Sequence, residues 1–440
     1  MRTRRADIHM PTSLRGIANR ARKDKKARFQ NLYRLLNENN LRMCFYELRK
    51  DAAVGVDKVT FREYEKDLGK NLKDLVSRLK RKRYRAKMVR RKYISKANGK
   101  KRPLGIPALE DKLLQQACAN ILSAIYEEDF LDCSWGYRPG RGTQKASREL
   151  SNALHRGKFG WVVEADIRGF FDHLSHDWML KMLEQRVDDG AFIRMINKWL
   201  KAGVLEEDGK VLHPATGTPQ GGIISPVLAN IYLHYALDLW FEKVIKPECG
   251  GECYMIRYAD DFVCAFRYKN DAERFEKNLS SRLQKFELEL AEEKTKTLRF
   301  SRFGGRENGT FSFLGFQYRW VKRRSGKRGV QRRTSPKKKR TSISNFQQWI
   351  RENRHKPLKK IMATACRKFR GYWNYYGVIG NMADLSHVFY ECVNLLFKWL
   401  NRRSQKRSYT WKGFADMIKH YQVPPPRITE KYPERQMKMF

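Results

Sequence analysis

The sequence predicts an α+β fold, and three observations support that prediction. Residues 1–50 carry apolar side chains at helical spacing in a basic background, for example Phe29 and Leu32. Between residues 160 and 320, short apolar runs rich in β-branched residues alternate with helical patterns. Residues 343–400 then return to a helical period. Helical segments are therefore expected on both sides of a region that mixes strands and helices.

The first third of the chain predicts a turn, a helix and a hairpin, in that order. A turn is expected at residues 53–57, and an amphipathic helix is expected over 64–79. Extended runs flank Asn98-Gly99, and an Asn-Gly pair between such runs is the strongest short hairpin signal. A further helix is expected over 109–126.

Two neighbouring carboxylates mark the middle of the chain. Tyr258-Ala259-Asp260-Asp261 lies between the apolar runs 253–256 and 262–266, which predicts a β-hairpin with both carboxylates at its turn. Adjacent negative charges repel each other unless a cation bridges them. A solvated Asp-Asp turn is the alternative, because Asp is a common turn residue.

A third acidic residue ends another predicted strand. The apolar run 161–167 carries Asp166, and a turn or helix follows it. Three converging Asp side chains would suit Mg²⁺, which prefers oxygen ligands. Two such ions about 3.5–4 Å apart can activate a 3′-hydroxyl and stabilise a departing pyrophosphate. The pattern therefore indicates polymerase chemistry, with a helix N-cap role for Asp166 as the alternative.

The composition predicts a polyanionic partner. Lys and Arg total 92 against 47 Asp and Glu, which gives a formal net charge of +45. A surplus of this size favours nucleic acid binding that weakens steeply with salt. The charge is spread along the chain without an isolated amphipathic anchor, so binding to a membrane is not expected. The apolar stretch 223–240 contains Pro226 and Asp238 and is expected to be a buried helix.

The eight cysteines do not predict a zinc site. Only Cys249 and Cys253 are close in sequence, and no second Cys or His pair follows at zinc-finger spacing. The N-terminus is basic but has no apolar signal-peptide core, which favours a cytosolic protein with reduced thiols.

Nine motifs, in the same order along the chain, resemble those of the reverse transcriptases encoded by bacterial group II introns, also called maturases. They occupy residues 53–57, 96–107, 134–141, 166–172, 218–222, 258–261, 294–296, 311–316 and 371–376. The resemblance implies a right-hand polymerase, with fingers and palm built on an antiparallel sheet flanked by helices and with an α-helical thumb. The form without an HNH endonuclease domain is expected, because the paired Cys and His residues of that domain are missing.

The resemblance and the composition together predict a division of the chain into parts. These are a basic helical N-terminal extension (1–60), reverse transcriptase fingers and palm (61–320), a basic linker (321–342), a helical thumb or maturase domain X (343–415) and a short basic C-terminal tail (416–440). The linker is expected because eleven basic residues and no acidic ones lie between Lys322 and Arg340. Such a composition is typical of an exposed loop.

The resemblance also implies the identity of the catalytic centre. Asp166, Asp260 and Asp261 would be catalytic and, together with Ile167, would contact two Mg²⁺ ions, for which Mn²⁺ could substitute. Glu164 is expected on the same strand face as Asp166, where it would support these residues without binding metal.

Residues that would contact the incoming dNTP follow from the same resemblance. Lys96 and Arg102, one on each arm of the predicted hairpin, would neutralise the triphosphate. Gln220 would hydrogen-bond near the nascent base pair, where the adjacent glycines let the backbone approach closely.

Two further dNTP contacts each have a neighbour as an alternative. Phe171 would be a steric gate that rejects the ribose 2′-hydroxyl, with Phe170 as the alternative gate. Lys294 would be the general acid for pyrophosphate departure, with Lys296 nearby.

Contacts with primer, template and intron RNA are implied at a larger set of residues. They are Arg138, Arg141, Leu314, Gly315, Lys337, Lys338, Lys339, Arg340, Arg370, Trp373, Tyr375 and Tyr376. The hairpin that contains Leu314 and Gly315 would support the primer terminus. Aromatic and Arg side chains can stack on bases, while Lys and Arg can bind phosphates. An aromatic stripe at helical spacing can equally be core.

The implied function is RNA-directed DNA polymerisation, in which a DNA primer is extended on an RNA template with dNTPs. The protein would also bind group II intron RNA to assist splicing and retrohoming into target DNA. It would act as a ribonucleoprotein of the bacterial cytosol, and a homodimer is one candidate assembly. Two alternatives are a domesticated reverse transcriptase in DNA repair or defence and a splicing-only RNA-binding maturase. The intact Asp residues argue against the second, because clustered charges are costly to keep without a use.

Overall fold

A computed structural model describes residues 12–95, 101–212, 216–218, 221–323, 325–404 and 408–431. The α-helices are α1 Thr12–Lys23, α2 Glu38–Glu47, α3 Phe61–Lys66, α4 Leu68–Lys80, α5 Leu109–Tyr126, α6 Thr143–Arg156, α7 Phe170–His173, α8 His176–Glu184, α9 Gly190–Leu200, α10 Ser225–Leu233, α11 Lys246–Glu248, α12 Lys269–Gln284, α13 Pro336–Asn353, α14 Leu358–Tyr376, α15 Met382–Leu400 and α16 Trp411–His420. The strands are β1 Val89–Ser95, β2 Lys101–Ile106, β3 Trp161–Asp166, β4 Val204–Leu205, β5 Val211–Leu212, β6 Cys253–Tyr258, β7 Asp261–Phe266, β8 Lys296–Arg299, β9 Phe311–Phe313, β10 Phe316–Lys322 and β11 Arg328–Thr334. Short 3₁₀ turns are Leu32–Leu35, Glu292–Lys294 and Gly305–Glu307, and π-helical turns are His234–Asp238 and Phe241–Ile245. This mixture of helices and strands confirms the predicted α+β class.

Several local predictions in the first third of the chain are confirmed. β1 and β2 pair antiparallel, which confirms both arms of the predicted hairpin, while its turn at 96–100 lies outside the described residues. The helix predicted over 109–126 is α5. The helix predicted over 64–79 is divided into α3 and α4, because Asp67 leaves the helical conformation and begins the second helix.

Four strands form the central sheet, an antiparallel sheet in the order β6-β7-β3-β8. Side chains alternate between the two faces of a strand. Val163 of β3 therefore contributes to a first apolar core, which also contains the buried faces of α5, α8, α9, α10 and α12. Val162 of β3 and Val263 of β7 contribute to a second core, shared with the C-terminal third of the chain. Asp166 is an even number of residues from Val162, and Asp261 is an even number from Val263, so both Asp residues belong to this second face.

Most of the described part of the segment predicted as a basic linker, residues 321–342, instead forms regular structure. β11 pairs along its length with β10 in the C-terminal sheet, whose order is β11-β10-β9, and α13 begins at Pro336. Arg332 is buried against Glu430, at 2.8 Å and 98 residues further along the chain. The prediction of an exposed linker is therefore wrong for residues 328–342, because local composition does not reveal such distant acidic partners.

The predicted C-terminal tail is also partly wrong. α16 runs through the expected boundary at residue 416, and the chain then returns across α14. The Thr429 amide donates to the Gly377 carbonyl at 2.8 Å, and Trp373 Nε1 donates to the Pro424 carbonyl at 3.1 Å. We call residues 421–431 the C-terminal strap. The other predicted boundaries remain predictions.

The longest apolar stretch of the sequence is a buried helix, as predicted. Most of residues 223–240 form α10 and the π-helical turn that follows it, and their buried apolar side chains lie in the first core. Across the described parts of the chain, we find no helix with both the length and the apolarity needed to cross a membrane.

Candidate active site

The turn between β6 and β7 fixes the positions of two carboxylates. Tyr258, the last residue of β6, pairs with Asp261, the first residue of β7, so Ala259 and Asp260 form a two-residue turn. Ala259 has a φ of 58°, the left-handed conformation found in tight hairpin turns. The predicted hairpin is confirmed, with Asp260 at its tip.

Strand β3 brings the third carboxylate to the same place. Asp166 and Asp261 are direct register partners in neighbouring antiparallel strands, a relationship in which Cα atoms lie about 4.5–5.5 Å apart. Glu164, two residues before Asp166 and on the same face, accepts a hydrogen bond from the Ser312 amide at 3.4 Å. The structure therefore brings together the three Asp residues that the sequence predicted to converge.

Burial and mutual repulsion raise the pKa values of Asp260 and Asp261. Burial, followed by the charges of Asp166 and Asp260, raises the pKa of Asp261 to about 7. Burial and the charge of Asp166 also raise the pKa of Asp260, against the opposing effects of Arg102 and Lys294. Like charges held this closely favour a bound cation, and carboxylate oxygens suit a hard divalent cation. The donor set therefore fits a divalent metal.

Lys294 forms an ion pair with the cluster. Its Nζ donates a hydrogen bond to Asp166 Oδ2, which raises the pKa of Lys294, although 61% of the side chain remains exposed. Lys296, the alternative in the sequence, pairs in register with Glu164 on the neighbouring strand. Lys294 is thus the lysine of this pair that contacts a member of the Asp cluster.

Within the described ranges, no group of three or more His, Cys, Asp or Glu is already placed to hold a metal ion. The fit to a metal comes instead from the charge and register of the Asp cluster, part of which Lys294 now neutralises. Ile167 follows Asp166 and forms a β-bridge with Leu290. The hydrogen bonds of this bridge use the Asp166 carbonyl and the Arg168 amide, so the Ile167 carbonyl is not part of the bridge.

The two adjacent phenylalanines face different environments. Phe170 is buried and makes an edge-to-face contact with Tyr232, with ring centroids 6.2 Å apart. Phe171 is half-buried, and its carbonyl accepts a hydrogen bond from the Thr218 amide at 2.8 Å. Of the pair, Phe171 is the ring that remains partly accessible.

The predicted triphosphate contacts are described only in part. Arg102 is exposed on β2, and its charge lowers the pKa of Asp260, so it lies within electrostatic reach of the cluster. Lys96 and Gln220 lie outside the described residues. Gly221, which follows Gln220, has a φ of 118°, and a Cβ there would lie 2.6 Å from a carbonyl oxygen of β2. Only glycine permits this close approach.

A second hairpin turn reaches the carboxylates from the C-terminal sheet. Leu314 and Gly315 form the turn between β9 and β10, with φ values of 52° and 78°. The Leu314 backbone donates a hydrogen bond to the Asp261 carboxylate, which partly offsets the rise in its pKa. The Leu314 carbonyl accepts a hydrogen bond from Tyr375 Oη at 3.1 Å. The turn therefore connects Asp261 to helix α14.

Three residues expected to contact nucleic acid are buried instead. The Arg138 side chain is 4% exposed and its Nε lies 3.1 Å from Glu127 Oε2. Trp373 is fully buried in the second core, and Tyr376 packs edge-to-face on Phe316. These three expectations are corrected. For Trp373 and Tyr376, an aromatic period identifies a helix face without distinguishing core from groove. For Arg138, the guanidinium is engaged by Glu127 and by the Ser134 carbonyl.

The remaining predicted nucleic acid contacts differ in exposure. The exposed ones are Lys337, Lys338, Arg340 and Arg370. Lys339 is half-buried, with its Nζ 3.0 Å from Asp384 Oδ1. Arg141 is also half-buried and lies over the Trp135 ring, 4.9 Å from its centroid. Tyr375 is half-buried at the turn described above.

A buried charge that was not predicted from the sequence lies beneath the carboxylate turn. Arg257 of β6 is fully buried and lies 2.6 Å from Asp238 in the π-helical turn after α10. It also donates to the carbonyl of Ala259 in the turn at 3.0 Å. A signal was present, because Arg257 directly follows the apolar run 253–256 within a predicted strand, and Asp238 lies in the apolar stretch 223–240.

Comparison with protein families gives one match over the region of the site. The model of the family described as "Reverse transcriptase (RNA-dependent DNA polymerase)" matches residues 94–318, just over half of the 440-residue chain. That range contains the central sheet and the three Asp residues.

Several curated proteins are similar over longer or shorter stretches. Group II intron-encoded protein LtrA of Lactococcus lactis subsp. cremoris is 30% identical over 406 residues, covering 72% of this chain and 65% of the relative. Protein YkfC of Escherichia coli (strain K12) is 35% identical over 229 residues, covering 50% of this chain and 59% of the relative. An uncharacterized 91 kDa protein in cob intron of Schizosaccharomyces pombe is 36% identical over 220 residues, covering 49% and 26%. The chain spans less than two thirds of the length of each of these relatives.

Proposed function

The chain belongs to the reverse transcriptase family, and we propose that it is an RNA-directed DNA polymerase of the kind encoded by group II introns. One observation carries the proposal: Asp166 lies opposite Asp261 on adjacent strands, and Asp260 lies at the adjoining turn. A cluster of carboxylates on a rigid sheet is what nucleotidyl transfer requires, because the divalent ions must be held in a fixed geometry.

We assign Asp166, Asp260, Asp261 and the carbonyl of Ile167 as the groups that would hold two Mg²⁺ ions, with Mn²⁺ as a substitute. When bound, the ions would activate the primer 3′-hydroxyl and stabilise the charge on the departing pyrophosphate. The carboxylates must lose their protons to bind metal, so the raised pKa of Asp261 favours activity above neutral pH.

Other residues near the cluster fit the handling of a dNTP. Lys294 carries a proton at Nζ beside Asp166, which suits a general acid for the leaving pyrophosphate. Arg102 supplies positive charge for the triphosphate, a role that Lys96 would share. Phe171, the accessible member of its pair, would reject a ribose 2′-hydroxyl. Gln220 would contact the nascent base pair.

The nucleic acid partners we propose are an RNA template with a DNA primer, target DNA and group II intron RNA. The net charge of +45 supports a polyanionic partner. The exposed cations at the start of α13, Lys337, Lys338 and Arg340, offer phosphate contacts beside the Gly315 turn. The intron-encoded relative from Lactococcus lactis supports the further proposal that this chain assists splicing and retrohoming.

The polymerase proposal is tested by primer extension on an RNA template with the variant Asp260→Asn. We expect the variant to lose at least about a hundredfold in extension rate, because it lacks one metal-binding carboxylate. Its affinity for the primed template should stay within about twofold of the unchanged protein, since phosphate contacts dominate binding.

The matched control is Asp416→Asn, which removes an exposed carboxylate on α16, a helix that contributes no residue to the cluster. It should extend primers normally. Retained cDNA synthesis by Asp260→Asn would contradict the catalytic assignment, whereas template binding without synthesis by the unchanged protein would favour the splicing-only alternative.

A further inference from the structure

We propose that Arg257 is a positioning residue for the turn that carries Asp260 and Asp261, an inference that rests on the proposed function. Arg257 lies one residue before Tyr258 in β6, below the turn. Its side chain has no exposed surface, so it cannot contact a substrate directly. Any effect on the reaction must therefore pass through the groups to which it is bonded.

The bonds of Arg257 account for all five of its N–H donors. Nε donates to Asp238 Oδ1 at 2.7 Å, and Nη2 donates to Asp238 Oδ2 at 2.6 Å and to Ser134 Oγ at 2.8 Å. Nη1 donates to Asn230 Oδ1 at 3.1 Å and to the Ala259 carbonyl at 3.0 Å. The last bond holds the backbone of the carboxylate turn itself.

The partners of Arg257 come from three separate segments, which the guanidinium ties together. Asn230 lies on α10 and Asp238 in the π-helical turn that follows it, a backbone irregularity often found at functional sites. Ser134 lies in a short segment that runs beside β6 and forms a bridge with Arg257. One arginine thus fixes α10, β6 and the 133–136 segment relative to one another.

The backbone of the 133–136 segment is in close contact with the turn. A Cβ at Gly136 would lie 2.4 Å from the Ala259 amide nitrogen, so the two backbones are as close as glycine allows. The Gly136 carbonyl accepts a hydrogen bond from Asn230 Nδ2 at 2.7 Å. Ala259 is therefore held at its carbonyl by Arg257 and bounded at its amide by Gly136, which leaves its left-handed conformation little freedom.

Fold stability alone does not explain a buried Arg-Asp pair at this position. Burying two charges costs desolvation energy, and an apolar pair of similar volume is often as stable or more stable. Catalytic groups, by contrast, must be held to within about 0.5 Å of their productive positions, and a displacement of about 1 Å can cost about a hundredfold in rate. Placement of the turn is the property that an apolar pair could not supply.

The test compares the apolar double variant Arg257→Met/Asp238→Leu with Arg186→Met/Asp129→Leu. The second pair is the matched control, because Arg186 is also buried and its Nε lies 2.9 Å from Asp129 Oδ2, away from the central sheet. Mn²⁺ binding is measured by electron paramagnetic resonance, independently of catalysis. Thermal unfolding and the primer extension rate at saturating dNTP are measured in parallel.

We expect the Arg257 double variant to fold, to bind Mn²⁺ at least tenfold more weakly and to extend primers about a hundredfold more slowly, with unchanged affinity for primed template. The control pair should alter thermal unfolding only. If the Arg257 double variant does not fold, Arg257→Lys replaces it, since a lysine keeps the charge but cannot reach Asp238 and Ala259 together. The same losses are expected for the lysine variant.

Normal Mn²⁺ affinity and normal extension in a folded Arg257 variant would overturn the positioning role while leaving the proposed function intact. A different result would refute both: no Mn²⁺ bound by the unchanged protein, or full activity in Asp260→Asn. The Mn²⁺ measurement therefore separates failure of this inference from failure of the polymerase assignment.

Discussion

At the scale of single residues, the candidate site concentrates negative charge that the fold neutralises only in part. Lys294 pairs with Asp166, whereas the pKa of Asp261 rises to about 7 through burial and the neighbouring carboxylates. Such a cluster destabilises the metal-free protein, and binding of a cation would remove that cost. Metal binding is thus expected to relieve the electrostatic repulsion between the carboxylates.

The variant Asp261→Asn measures this cost. In EDTA at pH 8, we expect it to raise the free energy of unfolding by about 1–3 kcal/mol, because it removes one repelling charge. The pKa of Asp261 is raised on folding, so its contribution to stability is full below about pH 4, the unfolded pKa. That contribution is lost as the pH rises through about 7, the folded pKa. Urea unfolding at pH 4 to 8 provides the measurement.

Added Mg²⁺ should reverse the order of stability at pH 8, because it stabilises the unchanged protein and not Asp261→Asn. The control Asp416→Asn, at an exposed carboxylate in the middle of α16, should follow the unchanged protein throughout. A stability difference between Asp261→Asn and the unchanged protein that is the same at pH 4 and pH 8 would show that Asp261 is not repelled in the fold.

At the scale of elements, the turn between β9 and β10 joins the carboxylates to the C-terminal helices. Its Leu314 backbone contacts Asp261 and Tyr375, and the Gly315 carbonyl accepts from the Ser335 amide at 3.0 Å at the start of α13. Movement of α13 or α14 would therefore be transmitted to Asp261 through a single turn.

Gly315 and Gly326 offer a matched pair for testing this turn. Both have a φ of 78°, but a Cβ at Gly315 would lie 2.9 Å from Tyr376 Oη, whereas nothing lies within 4 Å of a Cβ at Gly326. Each Ala variant should lose about 1–2 kcal/mol from the left-handed conformation. Gly315→Ala should lose about 1 kcal/mol more, and it alone should slow primer extension. Equal effects in unfolding and extension assays would indicate that the turn does not position Asp261.

Elements near the site can be predicted from sequence where their signals are local. The β6–β7 hairpin, the end of β3 at Asp166 and the bounds of α5 each depend on a contiguous pattern of apolar and turn residues. The linker prediction fails because Arg332 pairs with the distant Glu430, and Trp373 is misassigned because the distant Pro424 packs over it. Arg138 is misassigned although its partner Glu127 is only 11 residues away, because the sequence does not show that the chain folds back between them. The period of apolar residues identifies the buried face of a helix or strand, but it does not identify the segment that packs against that face.

At the scale of the whole molecule, the C-terminal strap ties the last helices to the rest of the fold. Glu430 is buried between Arg332 of β11, at 2.8 Å, and the Ile379 amide after α14, also at 2.8 Å. On the other side, Arg148 of α6 donates to the Lys431 carbonyl at 2.9 Å. The strap thus holds α14, β11 and α6 together, so the exposed cations on α13 and α14 keep a fixed position relative to the carboxylates.

The surplus of positive charge should act on nucleic acid through particular faces of this assembly rather than uniformly. We expect Lys337→Glu/Arg340→Glu, which reverses two exposed charges one helical turn apart on α13, to weaken binding to primed RNA template. The slope of log K against log salt should fall by about 1.4–1.8, because about 0.7–0.9 of a counterion is released at each of two phosphate contacts. The control Lys277→Glu/Lys285→Glu makes the same change in net charge on and just after α12, which packs on the other face of the central sheet. Binding titrations between about 50 and 200 mM salt distinguish the two variants. Equal slopes would mean that the net charge of the protein, and not the position of the charges, determines the salt dependence of binding.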